Sequence, residues 1–272
     1  MTDNKTSNLT QKKETTVDSQ KKEISVDSQK KETLVDPQKS LVPQVCQKYD
    51  LHFINLDRRP DRLEKFKRDF GSFPFLNLIR FSAHYVEGLN NAIACSTSHY
   101  KLFKKNILTS PLVVVGEDDC VPTVHFAKVF PEIMSWAYAN LDKFDYINLG
   151  TSTVNRFGKI PVKLSRVTKY LFESASCSAA NLVIYNRSLE RRFDNHNRLI
   201  LEDDAIKKYG PDMMFTDWYF GNNPTVKRLI SFPILGVQAA GYSDLAHSYV
   251  NYDQFFDSTS RCIESYIKEK NL

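Results

Sequence analysis

The chain has 272 residues, enough for one large domain or two small ones. Hydrophobic residues at 42% and charged residues at 25% are ordinary globular proportions, and a net charge of +5 without a dense Lys/Arg stripe interleaved with aromatics argues against a nucleic-acid reader. No apolar run approaches the roughly 18 residues that span a bilayer, and the polar N-terminus carries no apolar signal region, so a cytoplasmic protein is expected.

The chain opens on a repeat. Residues 11–19 read QKKETTVDS, 20–28 QKKEISVDS and 29–37 QKKETLVDP, three copies of a nine-residue unit. Each unit offers only one or two aliphatics, too few and too short for the full apolar face of a solenoid repeat. The first aromatic is Tyr49 and the first glycine Gly71. A segment this poor in apolar area cannot offset its ordering entropy. Residues 1–46 are expected to be a disordered arm, flexible or transiently helical, with a partner-binding tether as the alternative. The folded domain is expected over 47–272.

From Tyr49 onward strand-like and helix-like stretches alternate. LHFINL at 51–56 is a buried strand, and Pro60 sits where a helix can begin, followed by Leu63, Phe66 and Phe70 at helical spacing. LNLIRF at 76–81 is a second strand. Residues 92–108 form a helix with Ile93, Thr97, Tyr100, Phe103 and Ile107 on one face. PLVVVGEDD at 111–119 is a β-branched strand that runs into three acids. Residues 124–141 read as helical, with Pro131 expected to break them in two. FDYINLG at 144–150 is another strand, 151–169 a basic irregular loop, CSAANLVIY at 177–185 a strand and SLERRF at 188–193 the start of a helix. MMFTDWYF at 213–220 reads as an aromatic-rich helix, and RLISFPILGVQ at 228–238 as a last strand in which Pro233 marks an edge or an end. The alternation implies an α/β fold with a mostly parallel sheet, whose ligands bind beyond the carboxyl ends of the strands.

Chemistry concentrates at those ends. Three carboxylates behind a buried strand, Glu117, Asp118 and Asp119, need a counter-charge, and a hard cation such as Mg²⁺ or Mn²⁺ supplies it through oxygen ligands. Strand alternation would point Glu117 and Asp119 one way and Asp118 the other; a solvated acidic turn is the alternative. Arg58, Arg59 and Arg62 lie near a helix start and suit phosphate, with Asn55 and Asp57 placed to read a base or ribose. An ordinary charged first turn explains the same residues. Ser98, His99 and Lys101 fall within one helical turn and offer phosphate contacts. Asp217, between aromatics that can shelve a sugar ring, is the candidate general base, or else a surface acid on a packed helix. Asp244 and His247 follow the last strand, and His247 is a candidate further metal ligand. No GxxxxGK and no GxGxxG occurs. The five cysteines include no CxxC pair, so neither a disulfide framework nor a zinc site is indicated.

The order of these motifs resembles glycosyltransferase family 25, which includes lipopolysaccharide glycosyltransferases and collagen galactosyltransferases. The resemblance rests on N-L-D-R-R-x-x-R at Asn55–Arg62, C-x-x-S-H at Cys95, Ser98 and His99, and E-D-D at Glu117–Asp119. It continues through SAANLVIYNRSLERRF at 178–193, P-x-x-x-x-x-D at Pro211–Asp217, and Gln238 with Ser243, Asp244 and Leu245. It departs at Asn91-Ala92-Ile93-Ala94, where the family often has G-E-I-G. The resemblance implies a GT-A-type, Rossmann-like fold, a UDP-sugar donor, Mn²⁺ and inversion at the anomeric carbon. It makes the chain an expected hexosyltransferase (galactose or glucose) acting on a glycan, lipopolysaccharide or protein hydroxyl. The alternative is a non-catalytic module that binds a sugar nucleotide or a partner.

Overall fold

The computed structural model describes residues 48–85, 87, 91–154, 162–175, 181–190, 226–244 and 247–272. The chain divides into Met1–Gln44 and Val45–Leu272, and every described residue lies in the second unit. The repeat arm, the aromatic stretch at 213–220 and Asp217 lie outside the described residues.

The first half follows the expected alternation. β1 (Tyr49–Asn55), α1 (Pro60–Gly71), β2 (Leu76–Ser82), α2 (Asn91–Asn106) and β3 (Leu112–Glu117) come in order. They are followed by β4 (Cys120–Pro122), α3 (Phe126–Ala139), β5 (Tyr146–Asn148), β6 (Leu164–Arg166), β7 (Leu171–Ser174) and β8 (Leu182–Asn186). The later elements are β9 (Arg228–Ser231), β10 (Gly236–Gln238), β11 (Gly241–Ser243), β12 (Ser248–Val250) and α4 (Asp253–Lys270).

The main sheet has eight strands in the order β2-β1-β3-β8-β5-β9-β7-β6. β1 is parallel to β2 and β3, and β5 to β9, whereas β8 runs against β3 and β5, and β7 against β9 and β6. Six strands therefore point one way and two the other, a mixed but mostly parallel sheet as expected. Apolar side chains cover both faces. Leu51, Phe53, Leu112 and Val114 pack with Phe66, Phe70, Phe126 and Phe130, while Ile54, Val113 and Val115 pack with Leu102, Phe103 and Ile107. Successive strand residues thus alternate between two cores, which is why Leu112–Val115 of β3 reads as an unbroken apolar run and β1 as one interrupted by the buried His52.

α1 begins at Pro60, whose missing N–H costs nothing in a first turn, and carries Asp61 at the positive end of the helix dipole. Its Phe66 is stacked between Phe53 at 4.3 Å and Phe70 at 4.4 Å, which seats the helix on β1.

Three expectations are corrected. Pro131 lies inside an unbroken α3. The helix buries Phe126, Val129, Phe130, Ile133, Met134 and Ala137. At roughly 1.5–3 kcal/mol for each large side chain, that outweighs the roughly 3 kcal/mol of an interior proline. The stretch 151–169 is not wholly irregular, because Leu164–Arg166 forms β6, the edge strand of a hairpin with β7. The run 228–238 is two strands: β9 ends at Ser231, the Phe232–Pro233 peptide is cis, and β10 pairs with β4 in a separate two-stranded sheet. That small sheet positions the site, since it carries Gln238 back to the end of β3.

Candidate active site

β1 and β3 are parallel neighbours, with Ile54 opposite Glu117, so their carboxyl ends emerge side by side. The ladder runs one step further, the Asp118 N–H donating to the Ile54 carbonyl at 3.0 Å. The loops leaving both strands, the first turns of α1 and α2 and the β10–β11 segment line an open cleft. Arg58, Arg62, Tyr85, Cys95, Glu117, Asp118, Asp119, Gln238 and Asp244 are among its lining residues.

The acids do not alternate as a strand would require. The strand ends at Glu117, the next two residues form a turn, and both aspartates swing onto one guanidinium. Arg62 Nη1 lies 3.0 Å from Asp118 Oδ1 and 3.1 Å from Asp119 Oδ2, and its Nη2 donates to the Tyr242 carbonyl at 2.7 Å. The expectation that Asp118 points away from Asp119 is therefore overturned. Asp118 also accepts from Asn55 Nδ2 at 2.7 Å, and Asp119 from Gln238 Nε2 at 3.0 Å. Asp119 Oδ1 is buried with no hydrogen-bond partner. Burial and the neighbouring Asp119 push the Asp118 carboxyl above its usual range, against the pull of Arg62 and Asn55.

Glu117 turns instead towards α2. Its Oε1 lies 3.3 Å from His99 Nε2 and 3.6 Å from Cys95 Sγ, and His99 Nδ1 lies 3.2 Å from the Tyr185 hydroxyl. Burial, then Asp119 and Asp118, push the Glu117 carboxyl up to about 8, so in the cation-free protein it is largely protonated at neutral pH.

The arginines are compensated from within the chain. Arg58 and Arg59 both bind Asp244, at 2.9 and 2.8 Å, and Arg59 also holds Asp61. The Arg58 guanidinium lies 4.3 Å over the Tyr85 ring. Burial opposes the charge on Asp244, but hydrogen bonds from Arg58 and Arg59 hold its carboxyl below the ordinary value.

The other sequence candidates are placed less openly. The Asn55 amide is buried and fully committed: Nδ2 donates to Asp118 and to the Arg59 carbonyl, and Oδ1 accepts from Arg80 at 2.9 Å. Asp57 is bound by Arg80 and by Ser82 Oγ. Ser98 Oγ donates to the Ala94 carbonyl and accepts the His84 N–H, both at 2.8 Å, which pins the loop after β2 to α2. Lys101 Nζ lies 3.0 Å from His84 Nδ1. His247, at a left-handed φ of 51°, has Nε2 3.5 Å from Asn91 Nδ2, whose other contact is the Asp244 carbonyl at 2.7 Å. Among the described residues, the one group of three metal-competent side chains with ligand atoms within 4.8 Å of one another is Cys95, His99 and Glu117. Asp118, Asp119 and His247 are not gathered in that way. Sequence reasoning missed Tyr85, Arg80 and Tyr185. The signal for Tyr85 was present, since FSAHY places an aromatic just past the end of a parallel strand.

Residues 89–200 match the model of glycosyltransferase family 25 (LPS biosynthesis protein). No curated protein sequence matches the chain. Among solved structures, the chain is similar to a glycosyltransferase involved in glycosylation of the major capsid of PBCV-1, at 9% identity and a TM-score of 0.46, over 77% of this chain and 98% of that one. It is also similar to the glycosyltransferase GlyE of Streptococcus pneumoniae TIGR4, at 9% identity and a TM-score of 0.37, over 82% of this chain and 64% of that one. At such values neither likeness bears on what this chain acts on. Among the described residues no helix is long and apolar enough to cross a membrane.

Proposed function

We propose that this chain, an enzyme assigned to glycosyltransferase family 25 through its residues 89–200, moves a hexose from a UDP-sugar to a hydroxyl of a glycan, lipopolysaccharide or protein acceptor. The observation that carries the reading is the convergence of Arg58, Arg62, Asp118, Asp119 and Asp244 on one cleft at the carboxyl ends of parallel strands. That is where an α/β sheet binds its ligands.

Charge balance narrows the ligand. Arg58 and Arg62 face Asp118, Asp119 and Asp244 across the cleft, Arg59 bridges Asp244 and Asp61, and Glu117 is largely neutral, so the arginines leave no surplus of positive charge. A dianionic diphosphate alone would unbalance the cleft, whereas a diphosphate entering with a divalent cation would not. The residues fit such a cation, because Asp119 Oδ1 is a buried carboxylate oxygen without a partner and hard cations prefer oxygen. Asp118 and Asp119 would hold Mn²⁺ or Mg²⁺, which when bound supplies positive charge for the departing diphosphate. Arg58 and Arg59 would exchange Asp244 for donor phosphate, a fork geometry suited to either anion. Tyr85, held by Arg58, would offer an aromatic face to the donor. The acceptor proton would leave to Asp217 as the oxygen attacks opposite the leaving group, with inversion.

Titration of the full chain with a panel of nucleotide sugars, with and without Mn²⁺, tests this. The expected result is Mn²⁺-dependent selectivity for one UDP-hexose, abolished in Asp119→Asn. Absence of binding to every nucleotide sugar by folded protein would overturn the proposal and move the reading to a non-catalytic partner-binding module.

A further inference from the structure

The carboxylate that leaves the aspartate pair enters a different chemical neighbourhood. Cys95 and His99 are four residues apart and so lie on one face of α2, and the end of β3 brings Glu117 against both. A thiol, an imidazole and a carboxylate are the ligand types that zinc prefers. Both separations to the carboxylate match as well. Tetrahedral zinc at ordinary bond lengths places nitrogen and oxygen ligands about 3.4 Å apart and sulfur and oxygen about 3.6 Å apart. The observed distances are 3.3 Å for His99 Nε2 to Glu117 Oε1 and 3.6 Å for Cys95 Sγ to Glu117 Oε1. All three ligand atoms lie within 4.8 Å of one another.

A second, independent feature supports the geometry. The far ring nitrogen of His99 lies 3.2 Å from the Tyr185 hydroxyl, and the two rings meet edge to face. With Nδ1–H donating to that hydroxyl, Nε2 presents its lone pair towards Glu117. This is the outer-shell contact that orients a metal-binding histidine. Charge is consistent as well: a thiolate and a carboxylate neutralise one dication, so the occupied cluster places no net charge beside the buried His99.

We propose that Cys95, His99 and Glu117 form a zinc site, separate in ligand chemistry from the oxygen-only aspartate pair, with a fourth coordination position opening on the cleft. Cys95 and Glu117 line that cleft, which gives the fourth ligand, a water, its access. Sulfur and nitrogen donors select Zn²⁺ and Co²⁺ over Mg²⁺ and Mn²⁺. The site goes beyond the transfer reading and stands without it, since zinc can bind whether or not any sugar nucleotide does.

The test uses the full chain, stripped of metal with a chelator and titrated with Co²⁺. A thiolate-to-cobalt charge-transfer band in the near ultraviolet should saturate at one Co²⁺ per chain and be displaced by Zn²⁺ but not by Mg²⁺. It should be lost in Cys95→Ser and retained in Cys262→Ser. No band in the unaltered protein, or a band that survives in folded Cys95→Ser, overturns the proposal. If the serine variant does not fold, the unaltered protein still decides. Zn²⁺ should slow alkylation of Cys95 by roughly tenfold or more while leaving Cys262 unchanged, as peptide mapping reads it. Equal alkylation of Cys95 with and without Zn²⁺ overturns it.

Discussion

Arg62 is the residue on which the cleft's charge balance turns, and Arg62→Met isolates its contribution. The unbranched methionine keeps most of the buried stem and removes only the guanidinium. Two carboxylates that are 8% and 13% exposed then lose their shared counter-charge. Breaking a fully buried ion pair in this way costs roughly 3–5 kcal/mol. Here Asn55 still donates to Asp118 and Gln238 to Asp119, and both acids retain some water, so about 2–3 kcal/mol is the expected loss at neutral pH. The sign of the pH dependence follows from Asp118. Its carboxyl already sits above the usual range because of burial and Asp119, with Arg62 pulling it down. Without Arg62 it rises further, and the folded variant holds protons that the unfolded chain has released. Stability of the variant therefore falls as pH rises through that raised value, and the deficit narrows in acid, where neutral carboxyls need no counter-charge. Urea unfolding of both proteins at neutral pH and near about pH 5 measures the gap at each condition. Added Mn²⁺ should stabilise the variant more than the parent, because the uncompensated pair binds the cation more strongly. A variant as stable as the parent at neutral pH, or a deficit that does not shrink in acid, refutes the reasoning.

Two further perturbations examine neighbouring parts of the structure. In Gly150→Ala the new Cβ would sit 1.9 Å from Asn181 Oδ1 and 2.8 Å from the Gly236 carbonyl, one of them backbone. A loss of at least about 1–3 kcal/mol is expected, and an unchanged melting temperature would show that this junction yields more easily than its burial implies. Glu117→Gln removes a carboxyl pushed up to about 8, first by burial and then by Asp119 and Asp118. A raised folded value means that the parent loses stability as pH climbs from the ordinary carboxyl range through about 8. The glutamine variant lacks that loss, so in metal-free buffer its stability relative to the parent should rise with pH. A difference that stays flat across that range would contradict the burial argument.

The strands and helices that stand alone on apolar periodicity were legible before any coordinates. LHFINL, LNLIRF and PLVVV are apolar enough over five or six residues to declare β1, β2 and β3, and Phe66 with Phe70 marks the buried face of α1. The short pieces were not. β6, β10 and β11 have three residues each, below the length at which a period of two is visible, and each exists through its pairing with β7, β4 or β12. Pro131 misled for a related reason: a local rule about prolines was outweighed by six buried side chains that only the folded packing reveals.

The site divides along the same line. Residue types and their positions at strand ends were readable, so Arg58, Arg62, Glu117, Asp118 and Asp119 all reach one cleft. What each charge would face was not readable, because the partners come from far along the chain. Arg59 meets Asp244 across 185 residues, and Asn55 meets Asp118 across 63. The arginines were read as open anion receptors, whereas in the fold each already grips a carboxylate. Extrapolating strand alternation past Glu117 failed because the ladder stops there and a turn obeys no period of two. The separation of Glu117 from its neighbours follows directly. The last strand residue keeps a strand's orientation and lands on the thiol and imidazole of α2, while the next two, freed from the pleat, fold back on Arg62. A run of three acids thus reaches two chemically distinct environments because the strand ends inside it.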